Sequence, residues 1–312
     1  PMSCPVGLDL AYDPAVDPKP ALVSKDVAFE LDFYERADAL VTKQLSHKEI
    51  QSDPKAIEAI RAEGQNLVKA GTWDETTVIE KSDLIARARK DGKKIHLGGQ
   101  LIICGIKHWE EPARHKHKGR VTFRGDSVKD EQGSAAVFQE LSASPTGIHS
   151  ANANIAYGAM PGHRTTQADA VQAYVQSLLE SMHETWVQVH PMLWPKWWRG
   201  KYTRPMCLLK KALYGHPESG GHWERHFNAA VRRCGGSSIP NHPSSFWFAA
   251  EKLLLTVYVD DLLLSGPWAA HEGLWSRLRD SKLGNIHLDD PEPLDKFLGR
   301  THSVYQEPIP KV

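Results

Sequence analysis

Three aspartates have the residue type and setting to do chemistry in this chain. Two are adjacent, in Lys252-Leu-Leu-Leu-Thr-Val-Tyr258-Val259-Asp260-Asp261-Leu262-Leu-Leu-Ser-Gly266. β-Favouring apolar residues lead into the pair and three leucines lead out. The stretch therefore reads as two short strands with the acids at the turn. Two carboxylates about 4 Å apart repel by roughly 4 kcal/mol at an effective dielectric near 20, so they sit together comfortably around a cation. Oxygen donors without Cys or His beside them suit Mg²⁺ or Mn²⁺ rather than Zn²⁺. The plain alternative is a solvated hairpin tip, because Asp tolerates turn geometry. The third acid is Asp169, in Gln167-Ala-Asp169-Ala-Val-Gln-Ala-Tyr174. Alone, such an acid is usually a cap or a surface charge. Asp169, Asp260 and Asp261 together form a ligand set for two metal ions about 3.5–4 Å apart, which serves in-line displacement at phosphorus.

A phosphate substrate needs cations on another part of the chain. Leu101-Ile-Ile-Cys-Gly-Ile106 and Gly119-Arg-Val-Thr-Phe-Arg124 read as the arms of a β-hairpin. Its connection carries Arg114, Lys116, Lys118 and Arg120, with His115 and His117 between them. Charges of one sign on a hairpin tip suit an anion, and the alternative is an ordinary solvated charge run. A His-x-His pair on a basic loop is more often solvent-facing than metal-binding.

Local signals mark the helices and strands around these groups. Asp53 and Pro54 cap a helix over 54–70, with Ile57, Ile60, Gly64, Leu67 and Val68 at helical spacing and Gly71 after it. Residues 134–143 read as a short helix, 145–166 as irregular, and Val175–Met182 as a brief helix. Thr185–Val189 reads as a strand. Trp194, Trp197 and Trp198 read as a packing plug in a Pro-flanked loop. Trp223, Phe227, Ala230 and Val231 share one face of a helix, residues 268–282 form another, and Phe297-Leu298-Gly299 lies in a last strand pair. Residues 1–51 read as a linker or arm, with a short helix near Val27–Val41. The class is α+β around an antiparallel sheet.

Composition sets the frame. The 312 residues are 41% hydrophobic and 24% charged, enough for one large domain or two modest ones. Lys+Arg 38 balances Asp+Glu 38, so a nucleic-acid partner would be held by local clusters rather than a global field. Cys4, Cys104, Cys207 and Cys234 are far apart, which suits reduced thiols and neither a zinc site nor a disulfide framework. No apolar run approaches the ~20 residues of a membrane span, and no signal peptide is visible. A chain beginning with Pro1 reads as a piece of something longer.

Six stretches, in order from about Ser52 to about Val304, resemble the reverse transcriptase domain of copia-type retrotransposon polyproteins. Ala59 to Trp73 resembles the family's opening helix. Lys118-Gly-Arg-Val-Thr-Phe-Arg-Gly125 resembles its basic fingers segment, and Gln167 to Tyr174 its first catalytic motif. Leu209-Lys-Lys-Ala-Leu-Tyr-Gly215 followed by Trp223, Tyr258-Val-Asp-Asp261 and Lys296-Phe-Leu-Gly299 resemble three later motifs. The resemblance implies a polymerase palm, an antiparallel sheet backed by helices, with an interleaved fingers subdomain. Fingers would lie mainly in 95–145 and palm in 160–305, with thumb and ribonuclease H regions absent. It implies RNA-directed DNA polymerase activity with two Mg²⁺ ions, or Mn²⁺, on Asp169, Asp260 and Asp261. Lys118, Arg120, Tyr174 and Glu218 would meet the nucleotide, Tyr174 excluding a 2′-hydroxyl by clash. Arg124, Tyr258, Val259, Phe297, Leu298 and Gly299 would meet primer or template. The implied partners are an RNA or DNA template with a DNA primer, deoxynucleoside triphosphates, and integrase and ribonuclease H segments of a parent polyprotein. The implied location is intracellular, in a cytoplasmic particle or the nucleus, with no membrane.

One departure bears on mechanism. After Gly215 many relatives read Leu-Lys-Gln-Ala-Pro-Arg, whereas this chain reads His216-Pro-Glu-Ser-Gly-Gly221, with Glu218 in the place of the Gln. An ionised Glu beside a triphosphate would repel it and donate nothing. The rival expectation is a degenerate or truncated relic that folds and binds nucleic acid without polymerising.

Overall fold

The computed structural model describes residues 42–139 and 143–303. The expected helix near Val27–Val41 lies outside them. Strands run in chain order as β1 (Lys43–Gln44), β2 (Trp73–Glu80), β3 (Ile95–Lys107), β4 (Lys116–Phe123), β5 (His163–Asp169), β6 (Glu184–Gln188) and β7 (Pro205–Leu209). They continue as β8 (Ser237–Ser238), β9 (Ser245–Phe248), β10 (Leu253–Tyr258), β11 (Asp261–Pro267), β12 (Glu292–Pro293), β13 (Lys296–Phe297) and β14 (Arg300–Thr301). Helices are α1 (His47–Ser52), α2 (Pro54–Lys69), α3 (Lys81–Lys90), α4 (Ile148–Gly158), α5 (Ser219–Arg233) and α6 (His271–Arg279).

Two six-stranded sheets carry the structure. The first has the order β1-β3-β6-β7-β2, with β4 also on β3. The second has the order β12-β5-β11-β10-β9-β8 and is antiparallel throughout. Residues 184–209, which motif order places in the second region, pair with the first sheet, β6 lying parallel to Ile95–Gly99.

The second sheet is covered on both faces, which explains its leucine run. Leu262 and Leu264 pack with Trp223, Phe227, Leu274 and Trp275 of α5 and α6. Leu263 points the other way, onto Ala151 of α4 and Phe297. Helix α4 and strand β5 occupy a region expected to be irregular. The inward face of α4 is small or polar (Ser150, Ala151, Asn154, Gly158), so no apolar period marks it. The amide of Asn154 instead donates to the carbonyls of Leu254 and Leu263 and to the Thr256 hydroxyl. The helix expected over 134–143 does not form in the described part, 134–139, where Ala136 N donates to Val128 O. Beyond Tyr174 the chain makes only a 3₁₀ turn, Ala173–Gln176, so the expected Val175–Met182 helix is absent.

In the first sheet, α2 begins as its caps dictate. The Asp53 carboxylate accepts from Lys55 N at 2.9 Å with Pro54 at the first turn. The same carboxylate meets His117 Nε2 at 2.7 Å, so this half-buried histidine ties helix to hairpin rather than facing solvent. His115 stacks on Trp109, with centroids 5.0 Å apart. Helix α2 lies against β4 at Gly119, where an added Cβ would sit 2.6 Å from the Ala59 and Ile60 backbone. Gly119→Ala must therefore separate helix from strand and is expected to destabilise the protein by about 1–3 kcal/mol. Gly99→Ala, whose Cβ would meet nothing within 4 Å, is the control and should be neutral in the same urea titration. Equal midpoints for the two variants would refute the close-packing account.

Candidate active site

Strands β5 and β11 pair with Asp261 directly opposite Asp169. Tyr258 pairs with Asp261 across the β10–β11 hairpin, leaving Val259 and Asp260 as a two-residue turn. Val259 has φ 60°, a left-handed value that a β-branched residue rarely adopts. Two bonds hold it there. Trp223 Nε1 donates to Val259 O at 2.7 Å, and Ala170 N donates to Asp260 O at 2.7 Å. Residues 287–289 close the other side, with Val171 N donating to His287 O and Asp289 N to Asp169 O, both at 2.9 Å.

This crowding sets the electrostatics. The carboxyls of Asp169 and Asp261 lie on facing positions of the two strands, with Asp260 in the adjoining turn, so each raises the cost of ionising the other. Burial, then the Asp260 and Asp169 charges, push Asp261 up to about 6. Burial raises Asp169 as well, followed by Asp260 and Asp289. Among the described residues no three His, Cys, Asp or Glu side chains already converge as a metal cage. The Asp169–Asp261 pair and Asp260 still fit a hard divalent cation by chemistry. They are oxygen donors crowded together by the fold, and a cation would offset the repulsion that raises Asp169 and Asp261.

Asp169 and Asp260 line an open cavity of about 310 Å³ whose far wall carries Lys118 and Arg120. The first and second sheets thus bring acids and bases to one space. Burial lowers the Lys118 ammonium, with Lys107 and Arg120 adding to the effect and Glu63 and Asp260 opposing it. Four further residues in this wall, Glu63, Gln172, Tyr214 and Asp289, have no role expected from sequence. Gln172 Nε2 donates to Glu63 Oε2 at 3.4 Å, and burial raises the Glu63 carboxyl. Burial and the nearby Asp260 push the Tyr214 phenol up to about 12. Tyr214 lies within the Leu209–Gly215 motif, and that position is the sequence signal for it.

Other expected site residues fall elsewhere. The Tyr174 ring packs on Tyr214, 4.6 Å between centroids, and lines a neighbouring apolar pocket with Trp223 and Val259. Tyr258 is exposed beside the turn. Arg124 is exposed and reaches Asp126 at 3.5 Å rather than the cavity. Phe297 is buried in the core, while Leu298 and Gly299 form the β13–β14 turn at φ 50° and 75°. Glu218 departs furthest from expectation. It is 1% exposed and accepts from Gln139 N at 3.0 Å and from the Ser181 hydroxyl. His222 Nε2 lies 3.7 Å away. The side chain joins three segments beneath the surface and does not line the carboxylate cavity, so it adds no repulsion there.

Both carboxyl environments can be tested. Asp261 ionises in the folded protein at a higher pH than its ordinary 3.8. Its ionisation therefore costs stability above about pH 6, and that cost disappears below the unfolded value. Asp261→Asn should raise Tm in EDTA by about 2–4 °C at pH 8 and by much less at pH 4.5. A gain independent of pH would contradict the crowded-carboxylate account. Glu218→Ala should cost about 1–3 kcal/mol in a urea titration by stranding the buried Gln139 N–H and Ser181 hydroxyl. Unchanged stability would show that the carboxylate does not hold these segments together.

No family model matches the chain. It is similar to the Transposon Ty1-GR3 Gag-Pol polyprotein of Saccharomyces cerevisiae, 23% identical over 259 residues, covering 81% of this chain and 13% of that protein. The Truncated transposon Ty1-A Gag-Pol polyprotein of the same yeast is 24% identical over 266 residues, covering 81% and 19%. The chain thus spans less than a fifth of the length of these curated relatives. Among solved structures, telomerase from Candida albicans in complex with a fragment of telomeric RNA aligns with a TM-score of 0.38 at 7% identity, over 77% of this chain and 46% of that one. No described helix is long and apolar enough to cross a membrane.

Proposed function

We propose that this chain is the RNA-directed DNA polymerase region of a copia-type retrotransposon polyprotein, with a palm on the second sheet and fingers on the first. The observation that carries the reading is that Asp169 and Asp260 share one cavity with Lys118 and Arg120, while Asp261 sits opposite Asp169 on the neighbouring strand. Similarity to the Ty1 Gag-Pol polyproteins supports it. The substrates are deoxynucleoside triphosphates and a DNA primer on an RNA or DNA template.

In this reading each side chain has a task. Asp169, Asp260 and Asp261 would hold two Mg²⁺ ions, which would supply Lewis-acid activation of the primer hydroxyl and offset charge on the departing pyrophosphate. Lys118 and Arg120 neutralise the remaining phosphate oxygens. Ionisation of Asp261, raised to about 6 by burial and by Asp260 and Asp169, would ready the group for a cation, so metal binding should weaken at acid pH. Tyr214 lines the cavity and Tyr174 packs behind it, so the pair would limit the space left for a sugar.

Primer extension on poly(rA)/oligo(dT), with Mg²⁺ and with Mn²⁺, tests this directly. The parent should extend the primer, and Asp169→Asn or Asp260→Asn should lose about 100-fold or more. Tyr174→Val should raise ribonucleotide incorporation relative to deoxynucleotide. No extension with either metal by a folded parent would overturn the polymerase reading.

A further inference from the structure

The loop between β6 and β7 takes no part in the proposed chemistry, yet it is built against α2. Residues 190–204 read His-Pro-Met-Leu-Trp-Pro-Lys-Trp-Trp-Arg-Gly-Lys-Tyr-Thr-Arg. Trp198 is fully buried, as a packing plug requires, whereas Trp197 is 54% exposed. Leu193 seats on Gly64 of α2, where an added Cβ would lie 2.5 Å from its Cδ2. Between loop and helix runs a groove of about 590 Å³, lined by Arg61, Lys69, Trp194, Lys196 and Arg199 among others. It continues past Arg61 along α2 towards Gln51.

The charge in this groove is unbalanced. Arg61, Lys69, Lys196 and Arg199 are exposed. Among the described residues none of the four enters an ion pair. Two acids line it: Glu75, whose carboxyl is raised by burial, and Glu58 where the groove continues along α2, against the four cations. Four unpaired cations around a half-buried indole suit a backbone of phosphates with bases free to stack. A duplex keeps its base faces covered and cannot use the indole. We propose that this groove binds a single-stranded nucleic-acid segment, with Arg61, Lys69, Lys196 and Arg199 on phosphates and Trp194 against a base. The site is separate from the carboxylate cavity. Glu63 projects from α2 into that cavity, while Arg61 lines the groove.

The test uses the full chain carrying Lys118→Ala and Arg120→Ala, so that the cavity does not contribute. A fluorescein-labelled 12-nucleotide oligouridylate is titrated by anisotropy in EDTA, without nucleotide, between 50 and 200 mM KCl. Adding Lys196→Ala and Arg199→Ala should weaken binding about tenfold or more at low salt and make the log–log salt slope shallower by about 1.4, two contacts at about 0.7 each. Trp194→Ala should weaken binding about 5- to 10-fold with the slope unchanged. Should the double substitution disturb folding by thermal melt, Arg61→Ala on the opposite wall gives the same reading. Unchanged affinity and slope would overturn the proposal, as would equal displacement by polyglutamate of matched charge, which would assign the groove to an acidic protein. Polymerase activity does not enter the measurement, so either reading can fail while the other stands.

Discussion

The antiparallel register of β5 and β11 is the constraint on which the rest depends, because it sets Asp169 opposite Asp261. Like charges directly opposite are unfavourable in a sheet. Repulsion of roughly 4 kcal/mol is offset by the leucine run directly after Asp261. Leu262, Leu263 and Leu264 are each wholly buried, and each such side chain contributes about 1.5–3 kcal/mol. A one-residue slip would exchange the faces of all three leucines, so packing enforces the register against electrostatics. Burial and the facing charges together raise both carboxyls. The strained turn at Val259 belongs to the same device. Its carbonyl is held by Trp223 and its neighbour's by Ala170, so Asp260 is placed by bonds from both sides.

Much of this was legible in the sequence, and the legible parts share a cause. The Asp–Asp hairpin, the capped helix and the basic hairpin are written in consecutive residues. Their signals are strand propensity into a turn, Asp-Pro before an apolar period, and two apolar arms. Helix α4 was hidden because its buried face works by small size and one amide rather than by apolar period. Asn154 makes three bonds into the sheet, and Gly158 lies against Thr165 and Ser265. A residue read as loop-forming by composition is here part of the core. The closure of Asp169 by residues 287–289 was hidden for another reason. It consists of backbone bonds between segments more than a hundred positions apart, and backbone groups carry no sequence.

Glu218 shows what motif order leaves open. Alignment with a known pattern locates a stretch of backbone but not the direction of each side chain. Here Gln139 N and the Ser181 hydroxyl donate to the carboxylate, while the Glu218 N–H donates to Nδ1 of His216, a buried imidazole pushed down to about 4 chiefly by desolvation. The charge is thus used to join the first sheet's trailing segment to the start of α5. Conversely Tyr214, four positions earlier, faces the cavity without a task expected of it. The turn between them reverses which side chain meets the site.

That turn also explains how the two walls of the cavity keep their spacing. Phe123 N, at the end of the strand bearing Lys118 and Arg120, donates to Tyr214 O at 2.6 Å. Gly215 has φ 87°, and a Cβ there would strike the Phe123 carbonyl, while a Cβ on Gly125 would strike the Gly215 carbonyl. The two backbones thus approach without side chains between them. Such a contact transmits position with little slack, because no rotamer can absorb a shift. The basic strand is therefore referenced to Tyr214, and Tyr214 through its ring contact to Tyr174, three residues beyond Val171, whose N–H donates to His287 O beside Asp169. Cations on one sheet and carboxylates on the other are held apart by this short chain of backbone and ring contacts, not by attraction between their charges.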